Sequence, residues 1–134
     1  MHDKHLQLLK QNAIKVTPQR LTIISLLHEN GHLSIKEIFS KIKATFPSIS
    51  LATIYKNINF LQQKDVLKEV KLTDFDSKYE ITKEPHAHLV CSKCGNIEDA
   101  SIDMSKIIQE FESQHSFKVS INSLEVTGVC ENCR

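Results

Sequence analysis

Two CxxC pairs, Cys91-x-x-Cys94 and Cys130-x-x-Cys133, constrain this chain of 134 residues more than any other feature. Four thiolates form a tetrahedral set with metal–sulfur distances of about 2.3 Å, which suits zinc. Such a set leaves no open position for a substrate or an activated water, so the site it predicts is structural. It would join the start of a C-terminal lobe to its end. A redox dithiol is the alternative, although one CxxC pair would be enough for that chemistry. At 15.3 kDa the chain can make one ordinary domain or two small lobes, each poor in core. Zinc binding, worth on the order of 10–16 kcal/mol in small zinc peptides, would supply what a small lobe lacks.

No apolar run approaches the roughly 18–20 residues that a membrane helix needs, and the opening MHDKHLQLLKQ is too polar for a secretion signal. A soluble, cytoplasmic chain with no membrane partner is the expectation, and in that compartment structural disulfides are not expected. The net charge of +1 hides an uneven distribution. Residues 1–71 hold 11 Lys/Arg against 5 Asp/Glu, and residues 72–134 hold 6 against 11. A basic front half fits a polyanionic partner; chance clustering of surface lysines gives the same numbers.

Helix signals fill the basic half. Leu6, Leu8, Leu9 and Ile14 mark a short first helix, and Thr17-Pro18 caps a second that carries Leu21, Ile24 and Leu27 and stops at Gly31. Ser34 and Glu37 form a capping box before IKEIFSKIKATF, which Pro47 ends. Ser50 caps LATIYKNINFLQQ, where Leu51, Ile54, Ile58 and Leu61 face one way and Thr53, Tyr55, Lys56, Asn57 and Asn59 face elsewhere. That second face holds amides, hydroxyls and a lysine with no carboxylate, a composition able to meet phosphates and base edges. Tyr55 can touch a thymine methyl or pack on a neighbouring hairpin, and Arg20 can meet a phosphate at the start of the second helix. DVLKEVKL and SKYEIT read as two strands around TDFDS. Helices closing on a strand pair is the order of a winged helix-turn-helix, and also of a generic small α+β bundle.

The pattern breaks around Lys83-Glu84-Pro85, where a domain boundary is expected. HLVC then reads as a strand, CSKCGNIEDA as a knuckle, residues 104–115 as a helix and FKVSINSLEV as an alternating segment with a bulge or turn near Asn122-Ser123. His86 and His88 fall on one face of their strand and can reach one ion, while Cys91 falls on the other. Glu80, Glu84, Glu98 and Asp99 offer carboxylates nearby, and a histidine-carboxylate shell suits Fe(II), Mn(II) or Zn(II). A surface histidine pair without metal fits the same spacing. His2, His5, His28 and His115 have surface or helix-face roles by default.

TPQR at 17–20, FPSISLATIYKNINFL at 46–61, KYEIT at 78–82, HAHLVCSKCG at 86–95 and the terminal CENC, in this order, resemble the ferric uptake regulator family of bacterial metal-dependent repressors. The resemblance implies an α+β chain: a winged-helix DNA-binding domain over 1–82, a hinge over 83–86 and a small α/β dimerisation and metal-binding domain over 87–134. It implies a homodimer on a double-stranded DNA operator. It also implies a structural zinc in Cys91, Cys94, Cys130 and Cys133, and a regulatory Fe(II) or Mn(II) held by His32, Glu80, His86, His88 and Asp99. Iron-uptake members usually carry HHDH, where this chain has Pro85-His86-Ala87-His88, and a further histidine at the position of Asn122. Those absences favour the peroxide-responsive branch, in which bound Fe(II) reduces peroxide and a ligand histidine is oxidised. Glu80 stands where that branch typically has Asp, which keeps iron sensing as the alternative. A zinc store would have no use for the reading helix. A metallohydrolase would need an open metal position and a general base, for which there is no signature, so no enzyme is expected.

Overall fold

The computed structural model of the chain describes residues 2–121 and 123–134. They form two compact units, Met1–Thr82 and Lys83–Arg134. Unit 1 holds α1 (His2–Gln11), α2 (Pro18–Asn30), β1 (Leu33–Ser34), α3 (Ile35–Ile42), α4 (Leu51–Gln63), β2 (Leu67–Val70) and β3 (Lys78–Ile81). The caps explain the boundaries. Thr17 accepts the Arg20 N–H at 3.2 Å with Pro18 in the first turn of α2. Gly31, at φ +79°, closes α2 by donating its N–H to the Leu27 carbonyl at 2.8 Å, in a backbone region that a side chain would strain.

The capping box of α3 is complete: Glu37 N–H reaches Ser34 Oγ at 3.1 Å and Ser34 N–H reaches Glu37 Oε1 at 3.0 Å. Ser34→Ala should lower stability by about 1 kcal/mol, a fall of roughly 4–8 °C in the Tm of this unit by circular dichroism. The helix stops at Ile42, one turn before the expected end, because Thr45 and Phe46 both turn back to the Ile42 carbonyl, at 3.0 and 2.9 Å. Pro47 disfavours helical backbone at Phe46, so the chain leaves the helix before reaching it.

Ile23, Ile24, Leu27, Ile38, Ile42, Ile54, Ile58 and Leu61 form the fully buried centre of unit 1. Leu51, expected on this inward stripe of α4, is 39% exposed, since the first turn of the helix projects beyond the core. A three-stranded antiparallel sheet in the order β1-β3-β2 closes the unit, with Leu33 opposite Tyr79 and Lys68 opposite Glu80. The β2-β3 hairpin is the wing of a winged helix-turn-helix.

Unit 2 holds β4 (His86–Cys91), β5 (Ile97–Ala100), α5 (Met104–Gln114) and β6 (Ser123–Gly128), with sheet order β5-β4-β6. β4 pairs antiparallel with β5 and parallel with β6, so the central strand is paired along both edges. Two expectations change here. IEDA, read as part of the knuckle, is strand β5. Residues 117–121, read as a strand by alternation, form none, and Phe117 is 72% exposed. Asn122, half of the expected bulge, lies outside the described residues. Among the described residues no helix is long and apolar enough to cross a membrane.

Candidate metal sites and reading helix

The parallel pairing of β4 with β6 places Cys91 opposite Gly128, two residues before Cys130. Ser92 N–H fixes that register by donating to the Gly128 carbonyl at 2.8 Å. The knuckle folds back through Gly95, whose N–H reaches the Cys91 carbonyl at 2.9 Å, and brings Cys94 beside them. A last turn, Cys133 N–H to Cys130 carbonyl at 3.0 Å, adds the fourth sulfur. All four sulfurs lie within 4.8 Å of one another, with Cys94 Sγ and Cys130 Sγ at 3.8 Å. Tetrahedral zinc with bonds of about 2.3 Å sets sulfurs about 3.8 Å apart, so the cluster fits the ion.

Backbone N–H groups of Cys130 and Asn96 point at Cys91 Sγ and Cys94 Sγ, both at 3.4 Å. The Cys130 N–H, followed by that of Cys94, holds the Cys91 thiol down at about 6, a thiolate at neutral pH. Cys133 is pushed up to about 12, chiefly by its side-chain bond to Cys130 and then to Cys94. The quartet alone keeps a proton that a cation must displace, so zinc binds more weakly as pH falls.

The histidine-carboxylate residues form two groups, one in each unit. In unit 1, the pairing of Leu33 with Tyr79 and of Ser34 with Lys78, continued by one residue, sets His32 opposite Glu80. His32 Nε2 and Glu80 Oε2 are 3.0 Å apart. No periodicity marks His32, and the strand that positions it has only two residues. In unit 2, strand alternation brings His86 and His88 to one face with Nε2 atoms 2.9 Å apart. Asp99, opposite His88 in β5, sets Oδ1 at 3.4 Å from His86 Nε2 and 3.5 Å from His88 Nε2.

His86 Nδ1 donates to the Glu84 carbonyl at 2.8 Å, which fixes the tautomer and leaves Nε2 as the lone pair. Two imidazole nitrogens and a carboxylate oxygen converging so closely suit a divalent cation. Lys83, which no sequence pattern marks as part of this group, forms an ion pair with Asp99. Glu98 is opposite Leu89 and so on the other face of the sheet from Asp99, which removes it from this group. Glu84 takes part through its carbonyl.

On α4, Tyr55 is 47% exposed, Lys56 and Asn59 are exposed, and the Thr53 hydroxyl is 2.9 Å from the capping Ser50. Asn57, expected beside them on the outward face, is buried; its carboxamide accepts from Arg20 Nε at 3.1 Å and donates to the Thr53 carbonyl at 3.0 Å. At 100° per residue Asn57 falls toward Ile54 and Ile58 rather than with Lys56. Arg20, expected at a phosphate, is half-buried and has this protein partner. His5, expected at a surface or on a helix face, is a buried residue of α1 and meets the His28 ring edge-on at 5.2 Å.

Residues 11–127 match the model of the ferric uptake regulator family. The peroxide operon regulator of Bacillus subtilis is 31% identical over 130 residues, 96% of this chain and 90% of that protein. Among solved structures, the Campylobacter jejuni peroxide stress regulator is 38% identical with a TM-score of 0.74, covering 96% of this chain and 98% of that one. The Helicobacter pylori ferric uptake regulator superposes with a TM-score of 0.81 at 26% identity, over 99% and 93% of the two chains.

Proposed function

The chain belongs to the ferric uptake regulator family of metal-dependent transcriptional repressors, and from that premise we propose a peroxide-responsive repressor, cytoplasmic and homodimeric, that binds double-stranded DNA operators. Unit 1 is its DNA-binding domain and unit 2 its dimerisation and metal-binding domain; the hinge, expected over 83–86, is residues 83–85, because His86 already opens β4. Thr53, Tyr55, Lys56 and Asn59 of α4 meet the duplex. A structural zinc sits in Cys91, Cys94, Cys130 and Cys133. A regulatory Fe(II) or Mn(II) takes His32 and Glu80 from one unit and His86, His88 and Asp99 from the other. The observation that carries the proposal is the half-shell in each unit, a paired His32 and Glu80 at 3.0 Å and a converging His86, His88 and Asp99 within 3.5 Å.

A cation that needs both half-shells favours the one arrangement of the units in which they meet. If that arrangement presents α4 to the duplex, metal and DNA binding become coupled, each strengthening the other by the same factor. The outward apolar residues of unit 2, among them Ile102, Phe111 and Val126, support a dimer in which a second copy covers them. The relatives, transcriptional regulators by name, speak against an enzyme; any oxygen taken up on a ligand imidazole consumes the site rather than turning it over.

Bound Fe(II) would supply the electrons that reduce peroxide. The chain's own part is to hold imidazoles beside that chemistry, and an oxidised imidazole donates poorly, which opens the clamp. Mass spectrometry of the iron-loaded protein after micromolar peroxide should find one added oxygen on His32 or His86, with loss of DNA affinity in a gel shift. Protein that stays unmodified, and leaves DNA only when iron is withdrawn, would instead be an iron sensor, the reading that Glu80 favours.

A further inference from the structure

Arg20 is the third residue of α2 and its side chain crosses to α4, the reading helix. Nε donates to Asn57 Oδ1 at 3.1 Å, Nη1 donates to the Lys15 carbonyl at 2.8 Å, and the guanidinium carbon stands 4.4 Å from the centre of the Phe60 ring. Asn57 and Phe60 are one turn apart on α4, so the guanidinium touches the helix at two points. Asn57 in turn ties its amide to the Thr53 carbonyl one turn earlier, at 3.0 Å. The backbone of Arg20 is held as well, by Thr17 Oγ1 at 3.2 Å.

Two contacts spaced along a helix fix its rotation about its own axis as well as its distance from a neighbour. A planar guanidinium does this better than an ammonium, because its donors leave in fixed directions while its face stacks. Nothing else polar is buried on α4, whose remaining inward residues, Ile54, Ile58 and Leu61, grip without direction. We propose that Arg20 and Asn57 form a positioning pair that sets the roll of α4 and thereby decides which side chains face the bases, with Arg20 making no phosphate contact of its own. The proposal rests on the DNA-binding reading of unit 1.

Salt dependence separates the two roles. Each phosphate contact adds about 0.9 to the slope of log K against log salt, whereas a residue that only orients a helix adds nothing to it. The probe is a duplex selected from a random-sequence pool by the Mn(II)-loaded wild-type protein, with a scrambled duplex as reference. Arg20→Gln, Asn57→Ala and the double variant should each lose about tenfold in affinity for the selected duplex, and little for the scrambled one. The double variant should be no worse than either single one, and the slope should stay at the wild-type value. Lys56→Ala is the control that should flatten the slope by about one unit. Arg20→Lys, which keeps the charge and loses the fork, should behave as Arg20→Gln does; it also serves if the glutamine variant proves unfolded by circular dichroism. A slope flattened by Arg20→Gln together with a silent Asn57→Ala would overturn the positioning role. A wild-type protein that selects no duplex would overturn the DNA-binding reading beneath it.

Discussion

Replacing Cys94 with serine should release the zinc and unfold unit 2 while unit 1 stays folded. The reason is an imbalance in core. The buried cluster of large apolar side chains runs from Leu9 to Tyr79 and lies entirely in unit 1. In unit 2 the buried apolar residues are Ala87, Val90 and Cys91, and α5 contributes none among the described residues. A unit of that kind cannot offset the entropy of ordering its chain by apolar burial alone. Structural zinc contributes on the order of 10–16 kcal/mol in small zinc peptides, comparable to the whole net stability of an ordinary domain, about 5–15 kcal/mol. Hydrogen exchange is the direct measurement. Amides of β4 and β6 should lose protection in the variant, and those of α2 and α4 should keep it. Equal protection in both units of a zinc-free variant would contradict the structural role.

The second large effect belongs to His88→Ala. His88 lies on β4 opposite Asp99, with Nε2 2.9 Å from that of His86. Losing it removes one imidazole from the unit 2 half-shell and leaves the reading helix untouched. DNA affinity without Mn(II) should therefore stay at the wild-type level, while the gain on adding Mn(II) should disappear. Coupling free energies of about 1–3 kcal/mol correspond to a gain of roughly 5- to 150-fold, and that factor is what fluorescence anisotropy on a selected duplex should lose. Glu98→Ala, on the opposite face of the same sheet, should keep the full gain. If His88→Ala retained the Mn(II) response, the half-shell would have no part in the switch.

Much of unit 1 was legible because its signals are local. Thr17-Pro18, the Ser34 and Glu37 box and the spacing of Ile54, Ile58 and Leu61 each act within a turn or two, and each appears where its chemistry demands. The four cysteines were legible for another reason: two tight turns each present a pair of sulfurs, and the quartet needs only that the turns meet. What the residues alone did not show depended on pairing between distant segments. His32 has no pattern around it and acquires Glu80 through a two-residue strand that pairs with β3. Asn57 has the composition of a reading residue, yet a partner 37 positions away in sequence draws it inward. The alternation over residues 117–121 resembles a strand, but these residues join no sheet and Phe117 stays 72% exposed, so alternation without a pairing partner was not enough.

The central claim is that one cation takes ligands from both units, and the most direct test counts the imidazoles on it. Pulsed electron paramagnetic resonance of Mn(II) in the wild-type protein should detect nitrogen couplings from three histidines, His32, His86 and His88. His32→Ala should leave two. Spectra of wild type and His32→Ala that coincide would place the ion in unit 2 alone, and the coupling between metal and DNA would need another explanation.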